Sequence, residues 1–363
     1  MWLEVNVFGD QAQLQWGNKA PHPKKYDIDL ARLRRTVLQV RACLKDLTAP
    51  EVEHDAALRL QRLKALARTG GFLRRALFRS VRQPDIAQAL DLWVRGQKCG
   101  PGTPLLITSS PTIHIPWGLV YDGSSEAIDD LEDSPEAFSD FWCMKYALSS
   151  TLSGYGVSDE TLNRNAAASR MLSLVNRYLA EDLTANTVDM RATEFGVLLD
   201  RRPIGKAYTS KAMMKLVSGA GIGDTVFHFF CHHHDGMLDL GDETLDLNSF
   251  EDLLRCITAA GGGAARSYGL VIANACNSAF GDGDDSLLPV CEQSGFCGLI
   301  ATETCVPNDT AAGVYVRLHE ALFARNRSVG EAMFELHHDP SLWPNSLLYG
   351  CYAQPDYRFA SAA

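Results

Sequence analysis

From about residue 165 onward the chain alternates short, uninterrupted apolar runs with segments of helical periodicity, and this pattern restricts the fold more than any other feature. The runs fall at 171–175, 204–208, 225–231, 268–275, 297–301 and 347–353. A strand that is apolar on both faces must be covered on both faces, so the expected fold is α/β, a mostly parallel sheet with helices on either side. The intervening helices carry local signals. Ser328-Val329-Gly330-Glu331 has the spacing of a capping box, and Val329, Ala332, Met333 and Leu336 form an apolar stripe behind it. Asp309 caps a helix with the stripe Val314, Leu318, Ala321 and Leu322, and 209–217 forms another that ends at Gly219. Gly261-Gly262-Gly263 marks the connection ahead of the fourth run.

Residues 1–164 read as a mainly helical N-terminal lobe, which stands alone or shares the sheet of a second domain at 165–363. Alternation at 2–8 indicates a strand, and Asp29 opens a helix whose apolar positions are Leu30, Leu33, Val37 and Val40. Further helices are expected at 52–68, closed by Gly70-Gly71, and at 85–95, closed by Gly100-Pro101-Gly102. A buried strand at 105–108 leads through Ser109-Ser110-Pro111 into Ile113-His114-Ile115-Pro116-Trp117-Gly118-Leu119-Val120-Tyr121. The stretch 122–140 carries Glu126, Asp129, Asp130, Glu132, Asp133 and Glu136 among few apolar residues and reads as a solvated insertion.

Charge and cysteine usage exclude several classes of partner. With 363 residues the net charge is −10, the wrong sign for gripping a phosphate backbone, so no nucleic acid is expected to bind directly. The ten cysteines have no regular spacing, and several (Cys231, Cys276, Cys297, Cys351) lie in apolar runs. They read as thiols in a reducing, cytoplasmic setting, without disulfides. Neither a leader-like start nor a run approaching 18 apolar residues is present, so neither secretion nor a membrane partner is expected. The run Cys231-His232-His233-His234 is not expected to hold zinc, because neighbouring strand residues face opposite ways and no second pair has ligand spacing.

Two of the apolar runs end in chemistry. Val226-Phe227-His228-Phe229-Phe230-Cys231 finishes at His232, and Leu270-Val271-Ile272-Ala273-Asn274-Ala275 finishes at Cys276, 44 positions later. In an open parallel sheet, loops at the carboxyl ends of the strands form the functional crevice. A thiol with a pKa of about 8.5 is mostly protonated at neutral pH, so a neighbouring imidazole that takes its proton makes it a nucleophile and can return the proton to a leaving amine. The backbone N–H of Cys276, with that of His233 in the turn after His232, is expected to hold the oxyanion of the tetrahedral intermediate. His233 and His234 are alternative bases, the segment His234-Asp235-Gly236 being the nearest rival register. His228 lies too far back along its strand and reads as a core histidine, while Asp282-Gly283-Asp284-Asp285 reads as a solvated loop. There is no Gly-x-Ser-x-Gly elbow and no phosphate-binding glycine fingerprint.

An Ala-Cys strand end with a histidine about 50 residues upstream is the caspase arrangement, met here in spacing but not in flanking letters. Four stretches extend the likeness: Ile115-Pro116-Trp117-Gly118-Leu119-Val120-Tyr121, Phe229-Phe230-Cys231-His232, Ile272-Ala273-Asn274-Ala275-Cys276 and Asn345-Ser346-Leu347-Leu348-Tyr349-Gly350. In their order and spacing the region 105–359 resembles the CHAT domain, a caspase-like peptidase domain in the clan of caspases and separase. The resemblance implies a caspase-like fold and a His/Cys dyad endopeptidase, with Cys276 as nucleophile and His232 as base, needing no metal or organic cofactor. It also implies a protein substrate and a role in bacterial antiviral defence or programmed cell death. Because the chain has no repeat array, the activator is expected to be a separate sensor protein.

By the same resemblance, Asn274 and Thr302-Glu303-Thr304 line the primary specificity pocket. Glu303 would then favour arginine or lysine at the cleaved position through a charge-assisted hydrogen bond. No arginine lies in these segments to select aspartate. Two departures stand out: His233 occupies the position of the family's glycine, where a β-carbon resists positive φ, and Gly118 replaces a glutamate. The first leaves open a second reading, a catalytically inactive caspase-like scaffold that binds partner proteins through the same crevice.

Overall fold

The computed structural model describes residues 2–8, 11–17, 24–80, 82–96, 101–109, 113–152, 170–185, 190–200, 205–218, 225–260, 269–279, 286–296 and 298–359. The expected features at Gly219, Gly261–Gly263, Asp282–Asp285 and Cys297 lie outside these residues. The chain divides into two compact units, Met1–Gly156 with Met333–Leu347, and Val157–Ala332 with Leu348–Ala363.

In the first unit, β1 (Trp2–Phe8), β2 (Gln11–Gly17) and β3 (Lys24–Ile28) form an antiparallel meander. The expected strand at 105–108 is β4 (Thr103–Ser109), parallel to β1, and β5 (Tyr146–Leu152) is parallel to β4. The five strands make a sheet of their own, in the order β3-β2-β1-β4-β5. Asp29 caps α1 (Leu30–Leu47) as its position suggests, accepting from the Arg32 amide at 2.9 Å, and Leu33, Val37, Val40 and Leu44 bury the expected stripe. After the single turn α2 (Pro50–Glu53), α3 (Ala56–Leu77) runs straight through Gly70-Gly71, where the sequence suggested a stop. The reason is packing: a β-carbon on Gly70 would collide with the Leu119 carbonyl oxygen, so this glycine permits close approach of another segment. The unit is completed by α4 (Pro84–Gly96) and the single turn α5 (Trp142–Lys145).

The acidic segment 122–140 differs most from its reading as a solvated insertion. Asp122 accepts from Arg74 at 2.7 Å and from Lys145 at 2.9 Å, Asp133 accepts from Arg59 at 2.7 Å and from the Trp343 indole at 3.0 Å, and Asp129 pairs with Arg68. Ile128 and Phe138 are buried beneath it. Arginines spaced along α3 supply opposite charge to each of these aspartates, which straps the segment onto the helix.

The second unit carries the α/β pattern. Its strands are β6 (Arg170–Val175), β7 (Gly205–Ala207), β8 (Thr225–Phe230), β9 (His232–His234), β10 (Met237–Asp239), β11 (Thr244–Asp246), β12 (Leu270–Asn274), β13 (Gly298–Thr302) and β14 (Tyr349–Ala353). Six of them form one sheet in the order β14-β13-β12-β8-β6-β7, parallel except for β14. All six match the apolar runs read from the sequence. β8, β12 and β13 are buried at every position, so the core sits on these central strands. The helices are α6 (Arg177–Ala185), α7 (Met190–Asp200), α8 (Ser210–Ser218), α9 (Leu247–Ala260), α10 (Leu287–Gln293), α11 (Asn308–His319) and α12 (Val329–His337). Six of them fall into two packed groups, α6, α7 and α11 in one and α8, α9 and α10 in the other, while α12 belongs to this unit only up to Ala332. The capping box ahead of α12 forms as spaced: the Ser328 amide donates to Glu331 at 2.9 Å, and the Glu331 amide donates to the Ser328 hydroxyl at 3.2 Å. No helix among the described residues is long and apolar enough to cross a membrane.

Candidate active site

β8 and β12 are adjacent and parallel, with Phe229 opposite Ala273 and Phe230 opposite Asn274. Their carboxyl ends therefore coincide, and the Cys231 amide still donates to the Asn274 carbonyl at 3.3 Å. Beyond this point the chains part. At Cys231 the first chain bends into β9, which joins β10 and β11 in a small antiparallel sheet. The β9–β10 turn is Asp235-Gly236 with φ of 49° and 69°, the two positive values that a tight two-residue hairpin needs. Residues alternate in facing along β9: His233 is 5% exposed, while His232 and His234 face solvent.

His233 is the histidine whose ring reaches Cys276. Its Nδ1 lies 2.9 Å from the Cys276 carbonyl oxygen. A carbonyl only accepts, so Nδ1 carries the proton and donates it, and whenever the ring is neutral its lone pair lies on Nε2. That is the tautomer a general base requires.

Cys276 itself sits on a turn fixed from below. Asn277 adopts φ 52°, a left-handed conformation that asparagine tolerates. The turn is laced to the end of β13: the Asn277 amide donates to the Thr304 carbonyl at 3.1 Å and the Ala279 amide to the Thr302 carbonyl at 3.0 Å. Fully buried Ser278 and Thr302 complete the lacing. The Ser278 hydroxyl donates to the Ala273 carbonyl at 2.9 Å and accepts from the Thr302 amide at 3.0 Å. Ser278 was not singled out in the sequence, although a serine just past a strand end is a recognisable side-chain-to-backbone bonding position; Thr302, expected to line a specificity pocket, is instead fully buried in this lacing.

The half-buried Cys276 thiol has its own partners. Cys305 and the Val306 backbone N–H are the groups that act on it most directly. Cys305, followed by burial, pushes the Cys276 thiol above its ordinary value, whereas the Val306 amide pulls it down. Burial, then the charges of Cys276 and Asp309, raise the nearby Tyr349 phenol.

Two more residues expected to line a specificity pocket are tied inward. Asn274, 2% exposed, spends both amide hydrogens on His228 Nε2 and the Ala311 carbonyl, each at 3.0 Å, and its oxygen accepts from the Tyr349 hydroxyl at 2.9 Å. Glu303, 4% exposed, accepts from the Tyr352 hydroxyl. His228 is fully buried, with Nδ1 3.2 Å from the Ser173 hydroxyl, and desolvation holds it down at about 3, so the ring is neutral. Among the described residues, no group of three or more His, Cys, Asp or Glu side chains is placed to hold a metal ion.

No protein-family model matches the chain, and no curated protein matches it. Among solved structures it is similar to the Saccharomyces cerevisiae separase–securin complex, with a TM-score of 0.58 and 9% sequence identity. That match covers 99% of this chain and 30% of the other, so the chain spans about a third of the length of the protein it resembles. A likeness at this identity speaks for architecture alone: the chain has a caspase-like α/β fold, with a six-stranded, mostly parallel sheet.

Proposed function

We propose that the chain is a cysteine endopeptidase of the CHAT type, with Cys276 as nucleophile and His233, in place of the motif-aligned His232, as base. One observation carries this reading: the His233 ring is held 2.9 Å from the Cys276 carbonyl, where β8 and β12 end side by side. In the reaction, Nε2 of His233 takes the thiol proton and the sulfur attacks the scissile carbonyl carbon. The tetrahedral oxyanion is held by backbone amides, that of Cys276 among them, and the imidazolium then protonates the leaving amine. Water, deprotonated by the same ring, hydrolyses the thioester and restores the thiol. No metal or organic cofactor takes part.

The protonated thiol, raised by Cys305 and burial, supports a resting state that must be rearranged before it cleaves. A separate sensor protein supplying that rearrangement, and a setting in bacterial defence or programmed cell death, follow from the CHAT resemblance. Asn274 acts as a positioning residue, since its hydrogen bonds all run inward. Glu303, although tied to the Tyr352 hydroxyl, is the one carboxylate of the expected pocket segments, and through it the reading favours arginine or lysine at the cleaved position. The raised Cys276 thiol also favours a second reading, a caspase-like scaffold that binds partner proteins and leaves them intact.

Both readings meet one experiment. Wild-type chain and Cys276→Ala are incubated with a proteome that contains the activating partner, and new protein termini are mapped. Termini following arginine or lysine that depend on Cys276 are expected. Identical terminus maps for the two proteins overturn the peptidase reading in favour of the scaffold.

A further inference from the structure

We propose that Cys276 and Cys305 form a peroxide-driven, reversible disulfide that locks the site. The pairing has three structural grounds. Cys305 acts directly on the Cys276 thiol, raising it, and lies beside the residue that follows Cys276 in the chain. The loops that carry them are held in register by the Asn277-to-Thr304 and Ala279-to-Thr302 backbone bonds, and the Asn277 side-chain amide reaches the Cys305 sulfur at 3.9 Å. The two also differ in access, Cys305 being exposed and Cys276 half-buried. An exposed thiol on a loop laced to that of a second thiol is the arrangement of a peroxide-reactive cysteine with its resolving partner.

Cys231 is the only other described cysteine whose charge bears on Cys276, but it is 3% exposed and burial pushes its thiol up, which removes it from reach of oxidant. The chemistry closes with hydrogen peroxide as the oxidant. The Cys305 sulfur displaces water from the peroxide, losing its proton and becoming a sulfenic acid. The Cys276 sulfur then attacks that sulfenyl sulfur, forming the S–S bond, and the hydroxyl leaves as a second water with the Cys276 proton. Two thiols are oxidised and one peroxide is reduced to two waters. A small-molecule dithiol reverses the bond by exchange.

Inhibition by this bond rests on the reading of Cys276 as nucleophile, whereas the bond itself does not. Native chain is therefore treated with hydrogen peroxide and analysed by intact mass and by peptide mapping without reduction, alongside Cys305→Ser and Cys231→Ser. Expected are a loss of two hydrogens, a cross-linked peptide joining Cys276 to Cys305, restoration by dithiothreitol, and the same cross-link in Cys231→Ser. Cys305→Ser is expected to yield no cross-link at Cys276. Circular dichroism verifies that each variant is folded. Oxygen addition at Cys276 or Cys305 of the wild type without a cross-link, or a cross-link from Cys276 to Cys231, overturns the proposal. If the cross-link forms but unoxidised chain never cleaves protein, the disulfide stands and the peptidase reading fails. If unoxidised chain cleaves and no cross-link forms, the reverse holds.

Discussion

Two histidine pairs with different work to do lie towards the carboxyl ends of β8 and β12, one within the sheet and one just beyond it, where His233 sits on β9 and Cys276 follows β12. Within the sheet, His228 is matched to Asn274; where the strands end, His233 is matched to Cys276. Both rings have the same tautomer, protonated at Nδ1, because Asn274 can only donate to Nε2 of His228 and the Cys276 carbonyl can only accept from Nδ1 of His233. In the deeper pair the Nε2 lone pair is consumed by Asn274, and Ser173, Tyr315, Ala311 and Tyr349 close the network. A few ångströms along the strands, the outer pair sits beside a half-buried thiol. Burial and complete bonding mark His228 as structural, whereas His233, itself 5% exposed, is the ring proposed as base.

The comparison is tested most severely at the outer pair. Cys276→Ala and His233→Ala are each expected to lower peptide cleavage by about 10³-fold or more, while denaturation midpoints stay close to wild type. His232→Ala and His234→Ala are expected to stay within about 3-fold of wild type, as exposed residues outside the reacting geometry should. A loss at His232 equal to that at His233 would return the base to the motif-aligned position.

Next in size is the inner pair. Asn274→Leu removes the partner of His228, of the Ala311 carbonyl and of the Tyr349 hydroxyl together, and is expected to cost about 3 kcal/mol in urea denaturation. A neutral result would mean that the network contributes little to stability.

Acid should then separate the two histidines by slope. His228 is held down at about 3 by burial, below the ordinary 6.5 it regains on unfolding. As pH falls from 6.5 towards 3, the unfolded chain gains a proton there that the folded chain refuses, so stability present above 6.5 is lost by about 1.4 kcal/mol per pH unit. His228→Gln should remove that part of the slope in denaturation series at stepped pH, and an unchanged slope would assign it to other groups.

The smallest effect concerns the thiol. Because Cys305 and burial raise Cys276, its alkylation by iodoacetamide should keep rising with pH past the ordinary thiol value of 9.0. In Cys305→Ser the rise should come at lower pH. A curve that levels off near neutrality in wild type would show a thiolate already formed and contradict the resting state described above.

Much of this architecture was legible before any coordinates. Parallel strands buried on both faces are written as continuous apolar runs, which made β8, β12 and β13 readable, and the shorter apolar runs at the other three strands of the main sheet were readable beside them. β2, whose glutamines alternate with apolar residues, carries the same signal as β1 and was readable but not read, and β9, β10 and β11 are three residues each, too short to carry a period. Gly70-Gly71 read as a helix stop because local propensity cannot register the Leu119 carbonyl that needs the space.

The site divides along the same line. That an imidazole and a thiol each terminate an apolar run was legible in the sequence; that the two runs are neighbouring parallel strands was decided by the order of the sheet. Which imidazole it would be was decided only in three dimensions: side chains alternate along β9, so a bend absorbing one residue at Cys231 moves His233 inward and turns His232 and His234 to solvent. The nearness of Cys305 is likewise tertiary, because it arises from hydrogen bonds between two loops 28 residues apart in the chain. Local pattern specifies which faces must be buried; only the packed chain specifies which atoms then touch.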